Sequence, residues 1–430
     1  MKKNQLIVLL ILFIFFVISF LTNILGPLIP EIIQDFEVSL TFAALLPFAF
    51  FIAYGVFSIP SGIAVERYNE KNVILGAFFL SFIGALLFAS FPTFPMALLS
   101  LFLIGSGMAM LQVAINPLLR TAGGEKHYAF NSVMAQLVFG LASFVSPFLF
   151  SYLVLNLEAY DGPEKNNFII NFFHGLIPEN LPWISLYWIF ALVSLLMVVL
   201  IYPIKLSKVV LKDTEKIGSR DTYIKLLKNK KVLLYFIGLF AYVGTEQGIA
   251  NWMSQFLSVY HDLDPRIEGT ASISLFWGLL TVGCILGLIL LKIMDSRSVL
   301  KIFSGAAIIC LTAALFGPAH MAMYAFPMTG FFASVMWSVI FSLAMNSIKD
   351  NHGALSGILC SGIIGGAIVP LVIGALGDVI GLRGGMMFLY LTLSFIFTVG
   401  FWARPLINNK TIGIRKLFFK PENGQGTNFF

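Results

Sequence analysis

The chain consists of long, almost uninterrupted runs of apolar residues separated by short polar breaks. A helix that crosses the hydrocarbon core of a bilayer needs about 20 consecutive apolar residues. Because the core offers no water to unpaired backbone groups, and because these runs do not alternate as barrel strands do, each is predicted to be a helix. The sequence therefore predicts an all-α membrane protein with twelve transmembrane helices, over residues 5–30, 39–62, 73–92, 95–119, 127–155, 183–204, 232–259, 269–292, 299–317, 319–347, 353–378 and 384–404.

The most highly charged break separates six predicted helices from the next six. Spans five and eleven each place a proline deep in the helix, Pro147 and Pro370. This weak internal symmetry is expected of two six-helix halves packed about a central cavity. The predicted domains are an N-terminal half, residues 1–204, a cytoplasmic linker, residues 205–231, a C-terminal half, residues 232–404, and a cytoplasmic tail, residues 405–430.

Composition agrees with a membrane protein, and the charges predict its orientation. Only 11% of the residues are charged and the mean hydropathy is +0.91, whereas a soluble globular protein has roughly 25% charged residues. With the N-terminus inside, 24 of the 27 lysines and arginines lie on the cytoplasmic side, as the positive-inside rule requires. We expect a multi-pass protein of the inner membrane with both termini cytoplasmic. The net charge of +6 then follows from topology, so the expected partner is the lipid bilayer and not nucleic acid.

One carboxylate lies deep within an apolar run. Glu246, in span seven, is the only one of the 21 acidic residues that is neither in nor at the edge of a polar break. A charged group at that depth costs about 2.5–3.5 kcal/mol on insertion scales, so chains keep one mainly where it faces a cavity, a partner or an ion path. Three roles stay open for this coupling candidate: a proton carrier, a ligand for solute hydroxyl groups, or a structural residue bonded to a neighbouring helix.

Amide and aromatic side chains occupy similar depths. Amides can replace the hydration of a polar solute, and the apolar faces of a sugar pack on aromatic rings, while the absence of a deep lysine or arginine favours a neutral solute. The alternative is that the amides only join helices, at about 1 kcal/mol each. The candidate substrate-binding residues are Gln112 and Asn116 in span four, Gln136 in span five, Gln247, Asn251 and Trp252 in span seven, and Trp337 in span ten.

Other polar and aromatic residues are weaker candidates for a functional role. Thr22 and Asn23 in span one and Trp277 in span eight are further candidates for solute contact. Trp183, near the start of span six, is interpreted as an interfacial anchor.

The sequence does not indicate an enzyme. The five histidines are spread over five separate breaks, and the three cysteines show neither metal nor disulfide spacing. No catalytic residue, metal ligand or cofactor is predicted, and a monomer is expected. A membrane-embedded enzyme is a remote alternative, and an exporter of another small solute is a nearer one.

The break between spans two and three carries a motif. Gly62-Ile63-Ala64-Val65-Glu66-Arg67-Tyr68-Asn69-Glu70-Lys71 resembles the signature loop of the major facilitator superfamily, with Gly62, Glu66 and Arg67 as its conformational loop residues. Asn69 stands where that loop usually has a second glycine. Asparagine tolerates a left-handed backbone better than most residues, so the turn is expected to form.

Further motifs narrow the resemblance. Leu111-Gln112-Val113-Ala114-Ile115-Asn116-Pro117, Tyr242-Val243-Gly244-Thr245-Glu246, Ile340-Phe341-Ser342-Leu343-Ala344, Gly365-Gly366-Ala367-Ile368-Val369-Pro370 and Gly374-Ala375-Leu376-Gly377-Asp378 resemble the fucose and glucose/galactose symporter family. Gln112 and Glu246 look more like its glucose/galactose branch. The resemblance implies the major facilitator fold and hexose uptake by alternating access.

The chain departs from that family at its usual coupling positions. The family usually has an aspartate shortly before a Leu-Ile-Pro in the first helix, and here Gly26 and Pro27 precede Leu28-Ile29-Pro30. The fucose branch has a glutamate where this chain has Gln112. The possible coupling ion is H⁺ or Na⁺. Either coupling has moved to Glu246 or to sodium, or the protein is an uncoupled facilitator or carries another solute.

Overall fold

The structure is a computed structural model that describes residues 2–123, 128–163, 167–204, 220–348 and 352–406. Residues 205–219 of the predicted linker and residues 407–430 of the predicted tail lie outside this described part. The domain boundaries proposed from the sequence therefore stay predictions.

The described residues are almost entirely helical. The first half contains α1 (Lys2–Thr22), α2 (Leu25–Asp35), α3 (Leu40–Tyr68), α4 (Glu70–Ser90), α5 (Phe94–Gly123), α6 (Tyr128–Glu158), α7 (Phe168–His174) and α8 (Ser185–Ile201). The second half follows with α9 (Arg220–Leu227), α10 (Lys230–His261), α11 (Thr270–Ile293), α12 (Ser296–Phe316), α13 (Ala319–Ala333), α14 (Met336–Met345), α15 (His352–Cys360), α16 (Gly365–Met386) and α17 (Phe388–Trp402).

These helices make twelve apolar spans. Within the described ranges, 11 helical segments are long and apolar enough to cross a membrane, and α17, with 15 residues, is a shorter apolar helix. Three spans are interrupted helices: α1 with α2, α13 with α14, and α15 with α16. The predicted all-α fold with twelve helices is confirmed.

The first span is longer than predicted. Hydropathy places its end at residue 30, but α2 continues to Asp35. Two of its carboxylates are paired: Arg266 Nε lies 2.7 Å from Glu31 Oε1, and Trp183 Nε1 donates to Asp35 Oδ2 at 2.6 Å. Paired carboxylates can remain in a helix that hydropathy alone ends earlier. Trp183 is fully buried by these contacts, so its interpretation as an interfacial anchor is wrong.

The turn after α3 forms as expected. Asn69 has a φ of 69°, and its side-chain oxygen accepts a hydrogen bond from the backbone N–H of Asn72 at 3.2 Å, which caps α4. Of the other loop residues, Gly62 is half-buried, and Arg67 is exposed and lies over the ring of Tyr68. The side chain of Glu66 lies outside the described part of the structure.

The two halves pack together through α3 against α16 and α6 against α11. Twelve crossings place the first and last described residues on the same side of the bundle, which we call the termini side; the opposite side is the far side. On the far side the first half contributes to the core of the second: Ile29, Ala43 and Ala44 lie in the second half's hydrophobic core.

The close packing between the halves ends at mid-depth. Gly55 of α3 meets Ile364, and Gly140 of α6 meets Thr281 of α11. One turn nearer the termini side on the same helix faces, Ile59 is 47% exposed and Gln136 is also exposed. Among the described residues, the halves therefore pack on the far side and part toward the termini side.

Glycine permits one of the tightest helix contacts. A methyl group on Gly365 of α16 would overlap the backbone carbonyl of Phe240 in α10, whereas one on Gly76 of α4 would lie 3.7 Å from Met110 Cε, an ordinary contact. Gly365→Ala is therefore expected to lower the melting temperature in detergent, since overpacking costs about 1–3 kcal/mol. Gly76→Ala, the matched control, should leave it unchanged or raise it, because alanine favours helix. Equal melting curves for the two variants would contradict this assignment.

Candidate functional site

Glu246 lies near the middle of α10 and is partly exposed. The hydroxyl of Tyr242, one turn earlier, donates to Glu246 Oε2, and Gln247 Nε2 donates to Glu246 Oε1 at 3.3 Å. Both carboxylate oxygens are thus held by donors from the same helix. The carboxyl group has a fixed position in a residue that is partly exposed, which is compatible with proton exchange and with solute binding.

Aromatic rings connect this carboxyl group with the interrupted span of α13 and α14. The ring centroids of Tyr242 and Trp337 are 6.1 Å apart, and Trp337 stacks on Phe341 at 6.3 Å. Trp337 is half-buried and lies just after the interruption between α13 and α14, where Cys284 Sγ of α11 donates to the carbonyl of Ser334 at 3.4 Å. The structure therefore brings Trp337 next to Tyr242, the residue that donates to Glu246.

Gln247 lies at the boundary between the halves. It is 5% exposed, and a methyl group on Gly366 of α16 would lie 3.2 Å from its Cγ and 3.0 Å from the ring of Phe51 in α3. Gly366 thus separates an aromatic ring of the first half from an amide of the second.

Asn251 is the most informative of the predicted amides. It is 2% exposed, yet its side-chain Nδ2 has no hydrogen-bond partner among the described residues. The adjacent carbonyl of Ala250 packs against Gly26, just past the interruption between α1 and α2, and Gly26 also touches Ile273 of α11. One turn after Ile273, the indole N–H of the buried Trp277 also has no hydrogen-bond partner within the described ranges. Unpaired buried donors cost about 1–3 kcal/mol each, so Asn251 and Trp277 are candidate donors to a ligand.

Trp252 is not part of this group. It is fully buried, and its Nε1 donates to the carbonyl of Pro370 in α16 at 3.1 Å. Its indole is therefore committed to packing α10 against α16, and a solute cannot stack on it in this conformation.

The predicted amides of the first half are not in contact with Glu246. Asn116 is exposed and donates to the carbonyl of Gln112 in its own helix at 3.0 Å, while Gln112 is half-buried. Gln136 shares a helix face with Gly140 and Phe144, the face of α6 that packs on α11. It therefore points toward the second half at the level where the two halves have parted.

The polar residues of span one bond within the bundle, Asn23 to another helix and Thr22 to its own. Asn23 Nδ2 donates to Ser143 Oγ of α6 at 2.8 Å, and Thr22 donates to the carbonyl of Ile18 at 2.7 Å. These contacts satisfy both side chains within the protein. The contacts of Thr22 and Asn23 therefore do not support the prediction that these residues bind the solute.

Sequence reasoning did not single out Tyr242 as a site residue. Its spacing of four from Glu246 places the two on one helix face, and that spacing was the available signal. It also missed the pairing of Glu31 with Arg266, which join only in the folded protein and leave no local pattern.

Comparisons with known proteins identify relatives over most of the chain. The sequence profile of the Major Facilitator Superfamily matches residues 11–363. The glucose/galactose transporter of Brucella abortus biovar 1 (strain 9-941) is 30% identical over 380 residues, 86% of this chain and 87% of the relative. The L-fucose-proton symporter of Escherichia coli (strain K12) is 24% identical over 86% of each chain. Both relatives are named as transporters and not as enzymes.

Solved structures share the fold. The crystal structure of the transporter FucP in the outward conformation has a TM-score of 0.65 at 21% identity and covers 94% of this chain and 99% of that chain. A bacterial homolog of the human lysosomal transporter Spinster, inward-facing and unoccupied, has a TM-score of 0.75 at 16% identity, with 93% and 97% covered. With twelve apolar spans and a matching profile over most of its length, the chain belongs to the major facilitator superfamily of transporters.

Proposed function

We propose that this protein is a secondary active transporter that takes up a neutral monosaccharide, a hexose, across the inner membrane by alternating access. The observation that carries the proposal is the buried Asn251 amide without a partner among the described residues, together with a second such donor, the Trp277 indole N–H of α11. Sugar hydroxyl and ring oxygens are acceptors that fit such donors. The names of the relatives, glucose/galactose transporter and L-fucose-proton symporter, favour the same substrate class.

The composition of the group around Glu246 supports a neutral solute. It combines a carboxylate, the amides of Gln247 and Asn251, and the rings of Tyr242 and Trp337. None of these members is a cation that would pair a phosphate or a carboxylate. Gln112, Asn116 and Gln136 complete the proposed path in the first half, on the termini side of the site.

Orientation follows from the distribution of positive charge. We assign the termini side to the cytoplasm, because 24 of the 27 lysines and arginines fall there. The far side is then the outer side. The conformation with a closed far side is the inward-facing one, in which a solute leaves toward the cytoplasm.

We assign coupling to protons carried by Glu246. Its two oxygens are held by Tyr242 and Gln247, and the residue is partly exposed. Sodium coupling and uncoupled facilitation are the alternatives. The L-fucose-proton symporters among the relatives make protons the first ion to test.

Purified protein in vesicles tests the proposal directly. A panel of labelled hexoses is offered under an inward proton gradient, an inward sodium gradient, or no gradient. We expect at least one hexose to accumulate above its external concentration only when the proton gradient is present. Equal uptake under all three conditions would show a facilitator, sodium-dependent accumulation would overturn the proton assignment, and failure to carry any hexose would overturn the substrate class.

Tyr242 is expected to influence coupling through its bond to Glu246. Tyr242→Phe keeps the ring against Trp337 but removes the donor to the carboxylate, so proton-driven accumulation should fall severalfold, as loss of a hydrogen bond to a charged group costs about 1.5–3 kcal/mol. Tyr235→Phe is the matched control, because its hydroxyl pairs with Ser347 within the second half at 2.9 Å. Initial uptake rates measured across external pH compare the two. An unchanged pH profile in Tyr242→Phe would show that the hydroxyl has no role in coupling.

A further inference from the structure

A three-residue charge cluster joins the two halves on the far side. Arg266 lies in the turn Pro265–Gly269 between α10 and α11, and its guanidinium donates to both oxygens of Glu31 on α2, from Nε at 2.7 Å and from Nη2 at 2.9 Å. Its Nη1 donates to Glu158 Oε2 at the end of α6, at 2.6 Å. One cation of the second half thus holds two carboxylates of the first.

A second contact joins the halves nearby. Asp378 of α16 accepts hydrogen bonds from the backbone N–H groups of Leu40 and Thr41, both at 2.9 Å, and from the Thr41 hydroxyl at 2.5 Å. Leu40 is the first residue of α3, so a carboxylate of the second half caps a helix of the first. The negative charge lies at the positive end of the α3 dipole.

Burial differs across the charge cluster. The Glu31 side chain is 2% exposed, that of Arg266 25% and that of Glu158 36%. A buried charge without its partner is strongly destabilising, whereas replacing both partners by neutral groups often is not. In the far-side-closed conformation, Arg266 therefore mainly neutralises Glu31, and Glu158 contributes less.

From these contacts we infer that Arg266 is a gate residue of the transport cycle, which keeps the far side closed by neutralising buried Glu31. Asp378, which binds the start of α3, is the second contact that holds the far side closed. Opening of the far side separates both pairs and returns their charges to water. The inference rests on the proposed alternating access, but it requires neither a particular solute nor a particular coupling ion.

Thiol labelling in lipid nanodiscs measures far-side opening without any substrate. Cys284, Cys310 and Cys360 are first replaced by serine, and Ala43→Cys is introduced as a reporter. Ala43 is fully buried in the core that the first half shares with the second on the far side. Gln136→Cys, made separately, reports on the termini side, where that position is exposed. A maleimide then reads the labelling rate at each position.

The expected pattern separates gating from damage. Arg266→Gln should raise labelling at position 43 by roughly 10-fold or more and lower it at position 136, because it leaves Glu31 buried and unpaired. The double variant with Glu31→Gln should label more slowly at position 43 than Arg266→Gln alone, since no buried charge remains. Arg297→Gln, which removes a cation paired with Asp295 in its own half, should leave both rates unchanged.

Three results would overturn the inference. These are unchanged labelling at position 43 in Arg266→Gln, a double variant that labels as fast as the single one, and a rise at both reporters, which indicates general loosening. Asp378→Ala should shift the two reporters in the same directions as Arg266→Gln, and a lack of any shift would remove Asp378 from the gate. A vesicle preparation that labels as expected but carries no hexose would contradict the proposed substrate and leave the gate intact.

Discussion

Replacing Glu246 by glutamine is expected to abolish gradient-driven accumulation while leaving exchange of labelled for unlabelled sugar in place. Glutamine has the same size and keeps an oxygen that can accept from Tyr242, but it cannot release a proton. A gradient of 100 mV is worth about 2.3 kcal/mol per charge, which sustains roughly 50-fold accumulation with one coupled proton. In Glu246→Gln the ratio of internal to external sugar should fall to about 1, measured in vesicles under an imposed gradient.

The same experiment distinguishes the three roles of the carboxylate. A ligand for the solute would make exchange fall together with accumulation, and a structural residue would leave both near the wild-type values. Glu179→Gln, which neutralises an exposed carboxylate in the polar segment before α8, is the control and should change neither. Full accumulation in Glu246→Gln would exclude proton coupling through this residue.

The fold was largely predictable, because hydropathy acts on each span independently. Twelve apolar runs long enough to cross a bilayer give twelve helices whatever their neighbours are. The predicted end of the first span was wrong, because residues distant in sequence determine where that helix ends. Hydropathy ends the first span at residue 30, but Arg266 and Trp183 pair with Glu31 and Asp35 and the helix continues.

The site was less predictable, because polarity does not reveal which neighbour a side chain faces. Asn23 and Asn251 are both buried amides in apolar spans, yet Asn23 donates to Ser143 and Asn251 has no partner among the described residues. The role of Trp252 could not be predicted for the same reason. Only the packing of α10 against α16 shows that its indole donates to the carbonyl of Pro370. Glu246 could be predicted because a carboxylate at mid-span is costly in any helical arrangement.

The contrast between these two amides gives a prediction in which stability and binding change in opposite directions. Asn251→Leu removes the donor proposed for the solute, so the Kd for the transported hexose should rise roughly 10- to 100-fold, because a buried sugar oxygen left unpaired costs about 1–3 kcal/mol. The same change deletes a buried donor that has no partner in the described structure. The melting temperature without sugar should therefore stay the same or increase.

Asn23→Leu should behave in the opposite way. It breaks the hydrogen bond to Ser143 Oγ, so the melting temperature should fall, at a cost of about 0.5–1.5 kcal/mol, since the Ser143 hydroxyl keeps its contacts with Ser19 and the carbonyl of Phe139. Hexose affinity should be retained, because the side chain faces α6 and not the unpaired donors on α10 and α11. Titrations that follow thermal stability against sugar concentration measure both quantities for each variant. Loss of stability in Asn251→Leu with unchanged Kd would show that the amide joins helices, and the hexose site would then have to lie among the other polar groups.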